Sequence, residues 1–327
     1  MTADKYAYDP EFIDMIALLP TQLADLSDPA AIREVREGGL LSLTGEQPDR
    51  TDVTKRDAVV PGFAGQGGER DPDVPVRIYT PAAPAESGNA RGGMLYIHGG
   101  GFMFGSIDMM DAACQRYCAE TDAVFVSVGY RLAPEDPFPA GLHDCYAALV
   151  WMAEHAAELG VDPARIGIGG GSAGGGLSAA IALLARDVGG PALCFQFLQI
   201  PELDDRLETP SMQRFTDTPL WNRPNAEWSW KHYLGERHRT DDIPYLAAPS
   251  RCDDLSGLPP AYVTTMEFDP LRDEGIIYAM DMMRDGVQVE LHSYPGTFHG
   301  SGLFGEADVS VRDTADSIRA IRRGLGG

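Results

Sequence analysis

A chain of 327 residues with 44% hydrophobic side chains is long and apolar enough to bury a large core, which excludes disorder and fibrous architectures. A formal charge of -23, with lysine only at Lys5, Lys55 and Lys231, repels phosphate backbones and anionic bilayers, so nucleic acid is excluded as a partner. The opening residues carry no basic segment ahead of an apolar run, and nothing reaches the roughly 18 apolar residues of a membrane span, so a cytoplasmic chain without membrane insertion is expected. The acidity reads as a solvated surface, with adaptation to high salt as the alternative. Five scattered cysteines, none in a CxxC spacing, suit a reducing compartment. Cys114 and Cys118 are four apart on an expected helix, but no histidine stands nearby to complete a metal set, so buried thiols and no metal are expected.

The first fifty residues show no strand rhythm. From about Ala58 onward, β-rich runs alternate with helical stretches: Val76–Tyr79, Met94–Ile97, Ala123–Val128, Arg165–Gly169, Leu193–Ile200, Ala261–Met266 and Val287–Ser293. This alternation predicts βαβ units in an α/β domain with a mainly parallel sheet. Runs as apolar as AVFVSV and ALCFQFLQI predict strands covered by helices on both faces. A helix over Ala140–Leu159 carries Leu142, Tyr146, Leu149, Val150 and Ala153 on its inner side, stopping at Gly160 before a turn at Val161–Pro163. The stretch 204–245 departs from the rhythm and is rich in aromatics: Phe215, Trp221, Trp228, Trp230 and Tyr233. It and residues 1–50 read either as a lid over the catalytic end of the sheet or as a small packed helical subdomain.

Gly170–Gly174 reads GGSAG, a G-x-S-x-G match directly after the strand RIGIG and before the helix LSAAIALLAR. A serine hydroxyl is a weak nucleophile, and a sharp strand-to-helix turn flanked by glycine exposes it to a base. The same loop fits the dinucleotide fingerprint G-x-G-x-x-G at Gly169, Gly171 and Gly174. That reading wants an acid about 20 residues on, at the end of the next strand, and the first acids there, Glu202, Asp204 and Asp205, come too late. His98-Gly99-Gly100-Gly101 follows the strand MLYI and decides between the two, because side-chain-free N–H groups can close on the oxygen of a tetrahedral intermediate. Gly100, Gly101 and Ala173 are the expected donors, with His98 holding the loop.

In a strand-rich hydrolase with serine first, acid and histidine follow in that order. His299, in YPGTFHGS, falls after the last strand; His143 and His155 lie on a helix and His292 inside a strand, where packing or surface roles fit better. The acid comes from EFDPLRDE, four carboxylates after the strand AYVTTM. Asp269 is nearest the strand end and precedes a proline that fixes the turn, whereas Asp273 and Glu274 are expected to favour the next helix N-terminus by charge.

These residues resemble the hormone-sensitive-lipase-like family of α/β-hydrolases over about 80–310. The likeness rests on HGGGF at 98, YRLAPEDPFPA at 130, GGSAGG at 170, EFDPLRDEG at 267 and FHG at 298. It implies a central, mostly parallel eight-stranded sheet, a helical cap from residues 1–50 and part of 204–245, and a catalytic domain over 51–327. It implies the triad Ser172, Asp269 and His299 and the oxyanion donors Gly100, Gly101 and Ala173, with Phe102, Phe215 and Trp221 as candidates for the substrate pocket. The expected activity is hydrolysis of short-to-medium acyl esters through an acyl-enzyme, with a small-molecule ester as partner, no organic cofactor, and a homodimer as an open arrangement. A non-catalytic small-ligand receptor on this fold and a nucleotide-dependent oxidoreductase using the glycine turn are the rivals. Two positions depart from the family pattern: Gly171, where an acidic residue usually precedes the nucleophile, and Ser301, where a larger apolar residue is usual.

Overall fold

The computed structural model describes residues 5–38, 49–64, 70–85 and 90–326. Parts of the expected N-terminal cap (1–4 and 39–48) and of the loop before the second expected strand run lie outside the described residues. Among the described residues eight strands form one sheet: β1 (Val53–Val60), β2 (Val74–Pro81), β3 (Arg91–Ile97), β4 (Val124–Val128), β5 (Val161–Gly171), β6 (Phe195–Gln199), β7 (Ala261–Phe268) and β8 (Val289–Phe298). Their spatial order is β1-β2-β4-β3-β5-β6-β7-β8. β1 and β2 pair antiparallel, as do β2 and β4, and every later pairing is parallel. The expected eight-stranded, mostly parallel sheet is therefore the observed one.

Among the described residues ten helices accompany the strands: α1 (Ile13–Ile16), α2 (Pro29–Gly38), α3 (Asp111–Thr121), α4 (Ala140–Glu154), α5 (Ala156–Leu159), α6 (Ala173–Val188), α7 (Pro210–Arg214), α8 (Arg223–Leu234), α9 (Arg272–Arg284) and α10 (Asp308–Gly324). Strand side chains alternate between faces with period two, and the packing follows that alternation. Leu95, Ile97, Val124, Val126 and Ile168 meet Leu142, Leu149, Leu177 and Ile181 of α4 and α6 on one face. Met94, Tyr96, Phe125, Phe197 and Tyr262 meet Cys114, Cys118, Ala320 and Ile321 of α3 and α10 on the other. Cys114, Cys118 and Cys145 are buried in these layers, and all five cysteines are unpaired.

Three expectations are corrected. β1 escaped notice because VTKRDAVV, an edge strand, buries only its first and last residues and so has no apolar alternation to read. The helix expected over Ala140–Leu159 is interrupted: the His155 backbone leaves helical geometry, its ring stacks on Trp151, and its Nδ1–H donates to the Trp151 carbonyl. Val161 is already a strand residue paired with Arg91, and the expected turn at Asp162 survives as a bulge before pairing resumes at Ile166.

The N-terminal residues pack directly on the carboxyl ends of β7 and β8. Tyr6, Tyr8, Phe12 and Ile16 share a cluster with Phe215, Met266, Phe268 and Phe298, the last two being the final residues of β7 and β8. The Phe12 ring stands edge-on to Phe298 with centroids 5.4 Å apart. Phe12→Ala is expected to cost about 3 kcal/mol, since the aromatic is fully buried and a cavity would remain. Equilibrium urea unfolding measures this, and a loss below about 1 kcal/mol would remove the N-terminal segment from the cooperative core.

Candidate active site

Strand β5 ends at Gly171 and helix α6 begins at Ala173, leaving Ser172 alone on the turn with φ 58° and ψ -123°. A residue with a Cβ is strained there, and the strain persists because its surroundings over-determine it. Ser172 N–H donates to Gln199 O at 2.8 Å, and Ser172 O accepts from Gly176 N at 3.0 Å and from Glu202 N at 3.1 Å. The flanking glycines allow the turn to press on β3: a Cβ on Gly170 or Gly174 would overlap the Ile97 carbonyl. The helix thus starts four residues earlier than the apolar run from Leu177 had indicated, because GGG belongs to its first turn.

Pairing of β7 with β8 sets Phe268 beside Phe298, so the residues that follow them, Asp269 and His299, emerge side by side. His299 Nδ1 lies 2.7 Å from Asp269 Oδ2, and its Nε2 lies 3.0 Å from Ser172 Oγ. The carboxylate accepts only, so Nδ1 carries the ring proton and Nε2 is left to accept from the serine hydroxyl. Asp269 Oδ1 is held by the Leu271 N–H at 2.9 Å. Asp269 is 0% exposed, and Ser172 and His299 7% each, so the chain of bonds is screened from water. The structure brings together the three residues that the sequence singles out.

The glycine loop folds back beside this chain. Gly100 (φ 120°) and Gly101 (φ 56°) have conformations that favour glycine, and Gly100 O accepts from Phe104 N at 2.8 Å and Met103 N at 3.1 Å. Among the described residues, no backbone carbonyl takes the N–H of Gly100 or Gly101, and Ala173 N–H is at the first position of α6. A Cβ on Gly99 would lie 3.2 Å from Ser172 Cβ, which sets the loop against Ser172. His98 holds the loop from behind: its Nδ1–H donates to Gly99 O at 2.9 Å, its ring stacks on Tyr130 at 4.2 Å, and Tyr130 OH donates to His98 O at 3.0 Å. Burial pushes the His98 imidazole down to about 4, so it stays neutral.

The three pocket candidates separate. Trp221 reaches the site: its ring centroid is 5.8 Å from that of His299, and its edge occupies the place a Cβ on Gly101 would need. Phe102 is buried face to face on Tyr233 at 3.9 Å and backed by Trp230, while Phe215 is enclosed by Tyr6, Phe268 and Met266. Both rings are packing residues in this structure, because their faces are already covered. The two acids after Asp269 also differ from expectation. Asp273 accepts from Ser211 N at 2.7 Å, tying α7 to α9. Glu274 is buried and accepts from Leu203 N at 2.7 Å, and burial drives its carboxyl well above the usual range, so it is no charge at a helix end. A further buried acid, Glu202, stands under the Ser172 turn. The available signal was its place three residues beyond the end of β6, since side chains leaving the carboxyl ends of neighbouring parallel strands share one rim.

The chain matches the α/β-hydrolase-fold family model over residues 94–302 and belongs to that family. It is 41% identical to carboxylesterase NlhH of Mycobacterium tuberculosis over 77% of this chain and 79% of that protein. It is 36% identical to esterase LipI of the same organism over 98% and 97%. A solved bacterial heroin esterase superposes with TM-score 0.91 at 47% identity, covering 100% of both chains. These findings bear out the resemblance to hormone-sensitive-lipase-like hydrolases.

Gly171, where the family pattern has an acid, faces open space: no heavy atom lies within 4 Å of a Cβ built there. Gly171→Ala is therefore expected to change stability by less than about 1 kcal/mol, whereas Gly174→Ala, which would drive a methyl into Ile97 O, loses about 3 kcal/mol or fails to fold. Thermal unfolding of the two variants side by side tests the difference; equal losses would contradict this account of the turn.

Proposed function

We propose that Ser172 Oγ attacks the carbonyl carbon of a carboxylic ester while His299 Nε2 takes its proton. The chain is a serine carboxylesterase. As the Oγ–C bond forms, the carbonyl π electrons move to oxygen, which the N–H groups of Gly100, Gly101 and Ala173 receive. Collapse of this intermediate breaks the bond to the alkoxy oxygen, His299 returns the proton to the departing alcohol, and an acyl-Ser172 remains. Water then repeats the sequence, its proton passing to His299 and back to Ser172 Oγ as the acid leaves. Asp269 orients the ring and stabilises the imidazolium without taking the proton. The observation that carries this reading is the unbroken chain Asp269–His299–Ser172, with bonds of 2.7 and 3.0 Å in a screened site.

Residues 5–38 and 204–245 serve as a cap in this reading, and Trp221 as the pocket wall. Support comes from Leu220 N–H donating to Pro20 O and from both Asn222 and Asn225 donating to Thr21 O, which tie the N-terminal segment to the turn presenting Trp221. A bulky indole over Gly101 favours short-to-medium acyl chains. The edge position of β8 in the sheet and exposed Ile277, Met280 and Met283 on α9 make a homodimer the proposed assembly, and the unpaired cysteines favour the cytoplasm. Among the described residues, no helix is long and apolar enough to cross a membrane.

A series of chromogenic esters from acetate to palmitate is expected to peak below about ten acyl carbons. Ser172→Ala should lower kcat by about six orders of magnitude. Asp269→Asn should lower it by about four, because the wrong tautomer is then favoured. Retained turnover in Ser172→Ala, or a palmitate optimum, would overturn the corresponding part of the proposal.

A further inference from the structure

Pro201 and Glu202 cross directly over the first turn of α6. A Cβ on Gly176 would overlap Glu202 O, and Glu202 N–H donates to Ser172 O at 3.1 Å. The Glu202 side chain is 0% exposed, and neither of its oxygens has a hydrogen-bond partner. An unpartnered buried carboxyl is rare and costly, and at a reacting centre it points to a role. The polar group facing it is the Ser229 hydroxyl of α8, whose proton goes to Gly101 O at 3.1 Å. Glu202 thus lies at one end of a relay whose other end is the glycine loop.

We propose that Glu202 is a positioning residue for that loop: as a neutral acid it donates to Ser229 Oγ and leaves the Ser229 proton on Gly101 O, and its ionisation breaks this arrangement and lowers turnover. The inference rests on the hydrolase reading above. A serine hydroxyl has one proton. When Glu202 is protonated, Glu202 O–H donates to Ser229 Oγ, Ser229 O–H donates to Gly101 O, and both run in one direction. When Glu202 is ionised it can only accept, and it takes the Ser229 proton from Gly101. The Gly101 carbonyl fixes ψ of a residue already at φ 56°, and so fixes where the loop's N–H groups point.

The groups around Glu202 agree on its resting state. Asp269, beyond β7, opposes its charge; Glu274, on α9, faces it as a neutral acid and Tyr130 and Tyr233 as neutral phenols, and the Ser229 hydroxyl is the polar side chain beside it. Among the described residues no basic side chain pairs with it. Burial first, then the Asp269 charge, pushes the carboxyl up to about 8. The folded value lies above the unfolded one, so the folded protein binds more protons in between. Its stabilising contribution is complete below the unfolded value, about 4.5, and is lost as pH rises through about 8.

The test compares wild type with Glu202→Gln, Glu202→Ala and Ser229→Ala on one chromogenic acetate ester between about pH 6 and pH 9.5. Wild-type kcat should fall on an alkaline limb centred near 8. Glu202→Gln, whose amide still donates but does not ionise, should lose that limb; Glu202→Ala should drop kcat about tenfold or more at every pH with KM within about twofold, and Gln should restore most of it. Adding Ser229→Ala to Glu202→Ala should cost less than the product of the two single losses. A Glu202→Gln profile that overlays wild type overturns the inference while leaving the hydrolase reading intact; loss of Ser172 dependence in wild type would overturn that reading instead. Urea midpoints give a readout independent of activity: between about pH 6 and pH 9 wild type should lose more stability than Glu202→Gln, and parallel curves would contradict a titrating Glu202.

Discussion

The molecule depends on a serine hydroxyl kept at a left-handed turn and aimed at an imidazole nitrogen. The geometry of Ser172 is unfavourable taken alone, and three hydrogen bonds to its backbone, from and to β6, α6 and the Pro201–Glu202 crossing, keep the turn in place. Glycine is required wherever the turn meets β3, at Gly170 and Gly174, and is free at Gly171, where the chain points to open space. The turn beside Ser172 therefore makes no packing demand on the Cβ of residue 171, and it keeps its shape with glycine there.

The imidazole is positioned by the sheet and not by local loop chemistry. Parallel pairing of β7 and β8 up to Phe268 and Phe298 delivers Asp269 and His299 as neighbours, and the N-terminal aromatics Tyr8 and Phe12 clamp the Phe298 ring from outside. A segment that precedes the first strand by dozens of residues thereby braces the residue next to His299. The same segment grips the turn at Leu220 and Asn222, so the proposed cap and the histidine loop are held by one stretch of chain.

Much of this was legible before the fold was seen, because strand punctuation and glycine placement are local signals. GGSAG, HGGG and EFDP each sit at a strand end in the sequence, and strand ends are where an open parallel sheet presents side chains. β1 was not legible, since an edge strand with one solvated face has no apolar rhythm in VTKRDAVV. Nor were the separate fates of the aromatics: Trp221 and Phe215 look alike in sequence, and only the packing of Tyr6 and Phe268 around Phe215 decides which ring meets His299. Glu274 looked like a helix-end charge because composition does not reveal that the 203–204 backbone folds onto it. Glu202 hid for the same reason, an acid whose meaning comes from burial alone.

The most direct test of the central claim is the rate at which a fluorophosphonate, which phosphonylates an activated serine and expels fluoride, modifies the intact protein. The account predicts one adduct per chain, on Ser172, with the rate falling by orders of magnitude when His299 is replaced by glutamine. Modification of Ser172 at an undiminished rate in that variant, or an adduct on another residue, would contradict activation of this hydroxyl by this imidazole.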